Sequence, residues 1–272
     1  MYEEYSAKLT QAETALYLER IGLAGETIPI TQEGLDRLIF AHLCSVPFEN
    51  LDICLFKRPI DFSVPRMYEK VVTERRGGYC FELNSIFMAL LQSLGFDAYP
   101  VGVRIVFRRD FVPPIAHRAS IVTLDGTRYM ADVGYGGSAP GGSVCIEDGS
   151  TTEVLGESYG SKISGDGIVT LIKHTEDGEM NFFIFDSRPF NPIDFIAPNF
   201  QLSNSPESFF AVKRMANLRR GNGSCSIDAD IFRVYEGGEK TETAIENDEQ
   251  LYEILAKNFG IVPPSPIVAE AE

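Results

Sequence analysis

Cys80 stands directly behind "TERRGG" and Tyr79, at the mouth of the apolar run "CFELNSIFMALLQSLGF". A free cysteine is usually a small buried hydrophobe, and that role needs no glycine doublet ahead of it. Gly77 and Gly78 open backbone conformations closed to other residues and let a helix start approach something else closely. A thiol in the first turn of a helix lies at the positive end of the helix dipole, which favours the nucleophilic thiolate. The dipole alone is too weak. An ordinary thiol of pKa ~8.5 is only about 3% ionised at pH ~7, and lowering it by ~3 units takes on the order of 4 kcal/mol. A helix end supplies ~0.3–1 kcal/mol. A charged partner is needed, and histidine is the usual one.

The chain has three histidines. His42 lies on the apolar stripe of its own helical segment and reads as packing. His174 precedes the turn signal "TEDG" and reads as solvated at a hairpin end. His117 differs. It opens "HRASIVTLDGTRYMADVGYGG", where Asp125–Gly126 is a strong two-residue hairpin signal between two β-rich runs. With that turn Leu124 faces Thr127, His117 faces Gly134, and Asp132 lies one diagonal step from His117 on the same face. Diagonal neighbours are ~7–8 Å apart at the backbone, within reach of an imidazole and a carboxylate. A three-residue turn would shift the register by one and separate the two side chains onto opposite faces. The residues themselves leave two readings. One is a packing cysteine beside an unrelated His/Asp pair; the other is a Cys–His–Asp nucleophilic site.

The elements that must position these residues show in two periodicities. "LTQAETALYLERIGL" carries Thr10 and Glu13 at capping-box spacing and stops near Gly22. Leu35, Leu38, Ile39, His42, Leu43 and Val46 line one helical face ahead of Pro47. Leu83, Ile86, Phe87, Leu90, Leu91 and Leu94 line another, which Gly95 ends. From about Val101 the period becomes that of strands. "VGVRIVF", "RASIVTL", "TRYMADV", "GIVTLIKH" and "NFFIFD" predict an antiparallel sheet or small barrel. Proline and asparagine interrupt the pattern through "SRPFNPIDFIAPNFQ". Short strands follow, with a helix near "NDEQLYEILAKNFG" capped by Asn247 with Gln250 at N3. The final "VPPSPIVAEAE" is expected to be loose.

With 44% hydrophobic and 23% charged residues over 272 positions, the chain reads as a globular protein of one large domain or two to three small ones. No run approaches the ~20 apolar residues that span a bilayer. "MYEEYSAKLT" has neither a basic start nor an apolar core segment, so a cytoplasmic protein without a signal peptide is expected. The net charge of −15 argues against nucleic acid and anionic membrane as partners. Clusters at Arg104, Arg108, Arg109 and at Arg219, Arg220 leave room for an anionic small molecule. The five cysteines are odd in number, scattered and free of CxxC spacing, which argues against a disulfide framework or a structural zinc site. No metal is expected.

"RRGGYCFELN", followed by His117 and "DVGYGG", closely resembles the arylamine N-acetyltransferase family. "VPFENLD", from Val46 to Asp52, resembles that family's N-terminal signature, and "SPESFF", from Ser205 to Phe210, a weaker C-terminal one. The resemblance is dense from about His42 to Gly142 and thin beyond Asp186. It implies Cys80 as the acetyl-accepting nucleophile, His117 as its base and Asp132 as the residue orienting the imidazole. The implied fold is α+β: an N-terminal helical bundle, a central antiparallel β-barrel and a C-terminal α/β lid, with a cysteine-protease-like catalytic core. On this chain the units would be 1–96, carrying the nucleophile, 97–197, carrying His and Asp, and 198–272, a lid with a loose tail. The implied activity is ping-pong transfer of acetyl from acetyl-CoA, the co-substrate, to arylamines or arylhydrazines through an acetyl-cysteine, in xenobiotic metabolism. Phe48 is expected to support the acyl pocket or the aromatic ring, unless it is simple core packing. Gly134, Gly136 and Gly137 are expected to bring a loop to the CoA pyrophosphate through backbone N–H groups, unless they form a plain turn. Tyr135 stands where many members carry phenylalanine. The loop after Gly137 and the C-terminal third, which help set substrate choice, differ most among members. The runner-up is a cysteine hydrolase or transglutaminase-like enzyme with the same triad and water or lysine as acceptor. A binding protein that keeps the fold without activity would not need the three residues intact.

Overall fold

Two capping signals set the first helices of the computed structural model, which describes residues 2–137 and 140–262. Thr10 Oγ1 accepts from the Glu13 N–H, the Glu13 carboxylate accepts from the Thr10 N–H, and α1 runs Gln11–Arg20. Thr31 caps α2 (Gln32–Ser45), which buries Leu35, Leu38, Ile39 and His42 as its period predicts. Three short elements follow: β1 (Phe48–Glu49), the single turn α3 (Leu51–Cys54) and α4 (Val64–Tyr68). α5 (Cys80–Leu94) departs from the one-faced helix expected of it. Every residue from Cys80 to Leu91 is buried, because helices cover one side and strands the other. Gly95 ends α5 at φ 98°, a left-handed C-cap that glycine takes without strain.

β2 (Asp97–Ile105), β3 (His117–Leu124), β4 (Thr127–Ala131) and β5 (Val144–Cys145) are joined by β6 (Thr151–Val154), β7 (Glu157–Ile163), β8 (Ile168–Thr175) and β9 (Gly178–Asp186). They form one antiparallel sheet in the order β5-β4-β3-β2-β9-β8-β7-β6. β6 and β7 go beyond the expected strands; "TTEV" and "ESYGSKI" are too polar for an alternation test, and pairing with β8 fixes them. Where the sheet's two ends meet, the Cys145 N–H donates to Thr152 Oγ1 and Ser161 Oγ donates to the Ile146 carbonyl, nearly closing a barrel. Strand alternation divides two cores at β3: Ala119 and Ile121 enter the barrel core, Val122 and Leu124 the helical one.

α6 (Ile196–Asn204) and α7 (Phe209–Val212) lead into β10 (Met215–Arg220), β11 (Gly223–Asp228), β12 (Ile231–Glu236) and β13 (Glu239–Ala244). α8 (Asp248–Ile254) follows, capped by Asn247 as expected. The second sheet, β1-β10-β11-β12-β13, takes its first strand from the far end of the chain. Phe48 pairs with Asn217 and Glu49 with Ala216. Asn50 fastens the join: its Oδ1 accepts from the Met215 N–H, and its Nδ2 donates to the Phe210 and Lys213 carbonyls. The architecture is α+β, with a helical N-terminal part, a nearly closed barrel and an α/β C-terminal part. Among the described residues no helix is long and apolar enough to cross a membrane. The tail expected to be loose lies, from residue 263 on, outside the described residues.

His42 is wholly buried. Its Nδ1 is 2.9 Å from the Tyr17 hydroxyl, its ring meets Phe87 edge-on, and its Nε2 has no partner. Burial, reinforced by the Arg20 charge, lowers its pKa to about 3. An unfolded chain takes up that proton near pH ~6.5, so the folded state loses stability as pH falls from there. Between pH ~7.5 and pH ~5 this residue should account for about 2 kcal/mol of lost stability. Urea unfolding at both values should show the loss, and His42→Gln should remove it. An undiminished loss in the variant would place the acid lability elsewhere.

Candidate active site

The glycine doublet ahead of α5 is there because the backbone passes too close to its neighbours for side chains. A Cβ on Gly77 would lie 1.9 Å from the Pro47 carbonyl oxygen, and one on Gly78 2.8 Å from Glu82 Oε2. The segment runs alongside "PFEN": the Glu49 N–H donates to the Gly78 carbonyl at 2.8 Å. Beneath this contact lies a chain of five buried charges. Arg76 Nη2 meets Glu49 Oε1 at 2.7 Å and Asp52 Oδ1 at 3.1 Å; Lys70 Nζ meets Asp52 Oδ2 and Glu82 Oε1, both at 2.7 Å. Glu82 Oε2 then accepts from the Tyr79 N–H, which fixes the residue before Cys80. Burial disfavours the Lys70 ammonium, but Glu82, Glu49 and Asp52 outweigh it and hold the group charged, above the ordinary lysine range.

Cys80 opens α5 with its side chain buried, and its Sγ lies 3.8 Å from the Ala116 carbonyl. The hairpin that brings its partners has the expected turn. Asp125 and Gly126 have φ 49° and 82°, and the ladder runs from Leu124↔Thr127 to Ser120↔Ala131. The ladder stops there, so Asp132 turns inward just past the strand end. Its Oδ2 lies 2.7 Å from His117 Nε2, with both side chains almost fully buried. Burial alone would pull the imidazolium down; the Asp132 carboxylate and the Cys80 sulfur outweigh it and raise His117 to about 10. Burial likewise works against the Asp132 carboxylate, but His117, Asn84 and the Gly134 N–H together hold it below its usual range.

Asn84 is the residue that sequence reading passes over. Its Nδ2 donates to Asp132 Oδ1 at 2.8 Å and to the Arg118 carbonyl at 2.5 Å, and its Oδ1 accepts from the Val133 N–H at 3.0 Å. The signal for it was its place four residues after Cys80, on the same helix face. The glycines after Asp132 fall in different surroundings. Gly134 is pressed against Cys80, for a Cβ there would lie 2.8 Å from Cys80 Cα, and its N–H donates to Asp132 Oδ1. Gly136, at φ 77°, packs on Phe48, whose ring would be 2.6 Å from a Cβ. Gly137 lines an open cavity of ≈ 430 Å³ with Asn217, Arg219, Ser224, Ser226 and Tyr235. Ser138 and Ala139, which follow Gly137, lie outside the described residues.

His42 sits in the core and His174 at its hairpin, 3.8 Å from Glu179. Burial pushes the Cys54 thiol up to about 11 and raises Cys44 and Cys225 too, so none of these favours a thiolate. Among the described residues no group of three His, Cys, Asp or Glu is placed to hold a metal.

A cysteine, a histidine and an aspartate brought together at the junction of a helix and a barrel define a class of enzyme, the cysteine-dependent acyl transferases and hydrolases. Comparison with known proteins narrows it. The N-acetyltransferase family model matches residues 31–266. The arylamine N-acetyltransferase of Escherichia coli K12 is 30% identical over 249 residues, covering 90% of this chain and 87% of that protein. The solved arylamine N-acetyltransferase of Salmonella typhimurium superposes with a TM-score of 0.86 at 26% identity, covering 93% of this chain and 92% of that one. The Mycobacterium marinum enzyme, solved in complex with CoA, superposes at 0.80 with 27% identity, covering 90% and 91%. The chain belongs to the arylamine N-acetyltransferase family, and is an acyltransferase.

The charge chain makes a stability prediction. Lys70→Met leaves Asp52 and Glu82 buried without their shared cation, which should cost about 3–5 kcal/mol in urea unfolding. Adding Glu82→Gln should recover part of the loss. No recovery would mean that Lys70 acts through its shape alone.

Proposed function

We propose that this chain transfers acetyl groups from acetyl-CoA to arylamines or arylhydrazines by a ping-pong route through an acetyl-Cys80 intermediate. One observation carries the reading: buried His117 lies 2.7 Å from the Asp132 carboxylate beside the helix start that Cys80 opens, and both the carboxylate and the Cys80 sulfur favour the imidazolium. In the first half-reaction the sulfur attacks the thioester carbonyl, the bond to CoA breaks, and the departing CoA sulfur takes the imidazolium proton. In the second, the amine attacks acetyl-Cys80, His117 takes the amine proton, and the cysteine sulfur leaves. Thioester chemistry suits a weak aryl amine, because a serine ester would be less reactive toward it. The CoA complex of the Mycobacterium marinum relative supports the donor.

Gly134 directs its N–H to Asp132, which leaves Gly136 and Gly137 as the backbone approach to the CoA pyrophosphate. Phe48, packed on Gly136, supports the acyl pocket from beneath. The division into 1–96, 97–197 and 198–272 belongs to the same proposal; the chain has three apolar cores, with Val122, Leu124 and Ala131 of the middle unit joining the helical core and Leu51 of the first joining the C-terminal one. So does a cytoplasmic location, which the free cysteines favour.

Cys80→Ser should abolish turnover with folding nearly intact, since the side chains are almost isosteric. Mass spectrometry after incubation with acetyl-CoA should find one acetyl group on Cys80 in the wild type and none in the variant. Labelling of Cys44, Cys54, Cys145 or Cys225 instead would sink the assignment. Asp132→Asn keeps the shape and removes the charge that raises His117, so activity should fall at least tenfold, roughly 1.4 kcal/mol or more in barrier. A smaller loss in steady-state turnover would show that another group orients the imidazole.

A further inference from the structure

Arg118 is the largest of the fully buried side chains among the described residues. It follows His117 on β3 and so points to the opposite face, the one that Val122 and Leu124 turn toward the helices. Its guanidinium carbon sits 5.0 Å from the Phe195 ring centroid, and its Nη2 lies 3.8 Å from Met88 Sδ. Nε and Nη1 have no hydrogen-bond partner, and among the described residues Arg118 makes no ion pair. A buried charge left so is costly, and a methionine would fill the space without that cost.

The surroundings say where its charge is felt. Cys80, Asn84 and Met88 follow at four-residue steps on α5, so one helix face meets the guanidinium at Met88, holds the Arg118 carbonyl at Asn84 and ends on the nucleophile. The other charged or titratable groups on the packed elements are engaged elsewhere. Glu82 is held by Lys70, Asp132 by His117 and Arg188 by Asp186; Asp194 caps the Asn191 N–H, and the Tyr79 hydroxyl bonds Asn199. Burial pulls Arg118 down to about 9, and the one influence opposing it is the Cys80 sulfur.

We propose that Arg118 is a positioning residue: a dry guanidinium without a carboxylate, on the far face of β3 from His117, whose field helps hold the Cys80 sulfur as a thiolate. This rests on Cys80 being the nucleophile. A carboxylate partner would cancel the field at the sulfur, and solvent would screen it; the site provides neither.

Iodoacetamide alkylation of the full chain, mapped to Cys80 by mass spectrometry across pH ~5 to ~9, tests the proposal. Wild type should react fast down to about pH 6, where an ordinary thiol is nearly inert. Arg118→Met should move the reactivity midpoint up by about one pH unit, roughly a tenfold slower reaction at pH ~6. Arg118→Lys should restore most of that rate. If Arg118→Met does not fold, Phe195→Leu serves, because it admits water to the guanidinium and should move the midpoint the same way by less. A neutral variant, or Phe195→Leu in its place, whose profile overlays the wild type's while only the melting temperature drops would reduce Arg118 to packing and overturn the proposal. A wild-type chain that takes no acetyl group on Cys80 from acetyl-CoA overturns the nucleophile reading instead.

Discussion

The buried chain of charges from Glu49 through Arg76, Asp52 and Lys70 to Glu82 is the constraint on which the other parts of this structure depend. Each ion in it was taken out of water at a cost of several kcal/mol, and only close, fully bonded geometry offsets that cost. Such a chain tolerates few alternatives, so it fixes position more than it adds stability. It joins the strand that enters the C-terminal sheet at Glu49 to the turn before α5 at Arg76. It ends on the carboxylate that caps that helix. Glu82 holds the Tyr79 N–H, and the Tyr79 hydroxyl bonds Asn199 on α6. The start of α5 is therefore held from within the bundle and from the C-terminal part together.

On the other side of α5 the electrostatics are reversed in purpose. There the pairing is left incomplete where the sulfur sits. Asp132 is fully bonded by His117, Asn84 and the Gly134 N–H. The ring edge-on to Tyr135 and tilted on Phe183 keeps water from His117. The Asp132 carboxylate and then the Cys80 sulfur favour the charged form of His117. The ion chain thus fixes the start of α5 from one side, and the Asp132 network fixes His117 on the other.

Much of this was legible in the chain because it is local. The Thr10–Glu13 box, the Asp125–Gly126 turn, the Gly95 cap and the Asn247 cap each involve residues within a few positions, and each forms as its chemistry dictates. The Cys80, His117 and Asp132 constellation needed one long-range step, a helix start meeting a hairpin, and the turn register made the hairpin half predictable. Other features depend on contacts the sequence does not advertise. "FENLD" read as a signature, yet Glu49 and Asp52 are legs of the ion chain and Phe48 opens a sheet completed more than 150 residues later, at Asn217. Asn84 and Arg118 sat inside runs read for apolar periodicity, where a polar residue looks like noise. β6 and β7 are held by pairing, which no residue in them announces.

Phe48 couples the loop after Asp132 to the start of α5. Its backbone pairs with Asn217 on one side and bridges to Gly78 on the other, while its ring fills the space above Gly136. The loop from Gly134 to Gly137 is thus pinned at one end by Cys80 and Asn84, at its middle by Phe48, and opens only at Gly137. That opening faces Asn217 and Arg219 on β10, the strand to which Phe48 itself is paired. The C-terminal sheet and the start of α5 are thus linked through Phe48 and the Gly134–Gly137 loop. The β10 strand that lines this opening is therefore registered against the same residue that seats the loop, so the C-terminal sheet and the loop after Asp132 are held in one arrangement.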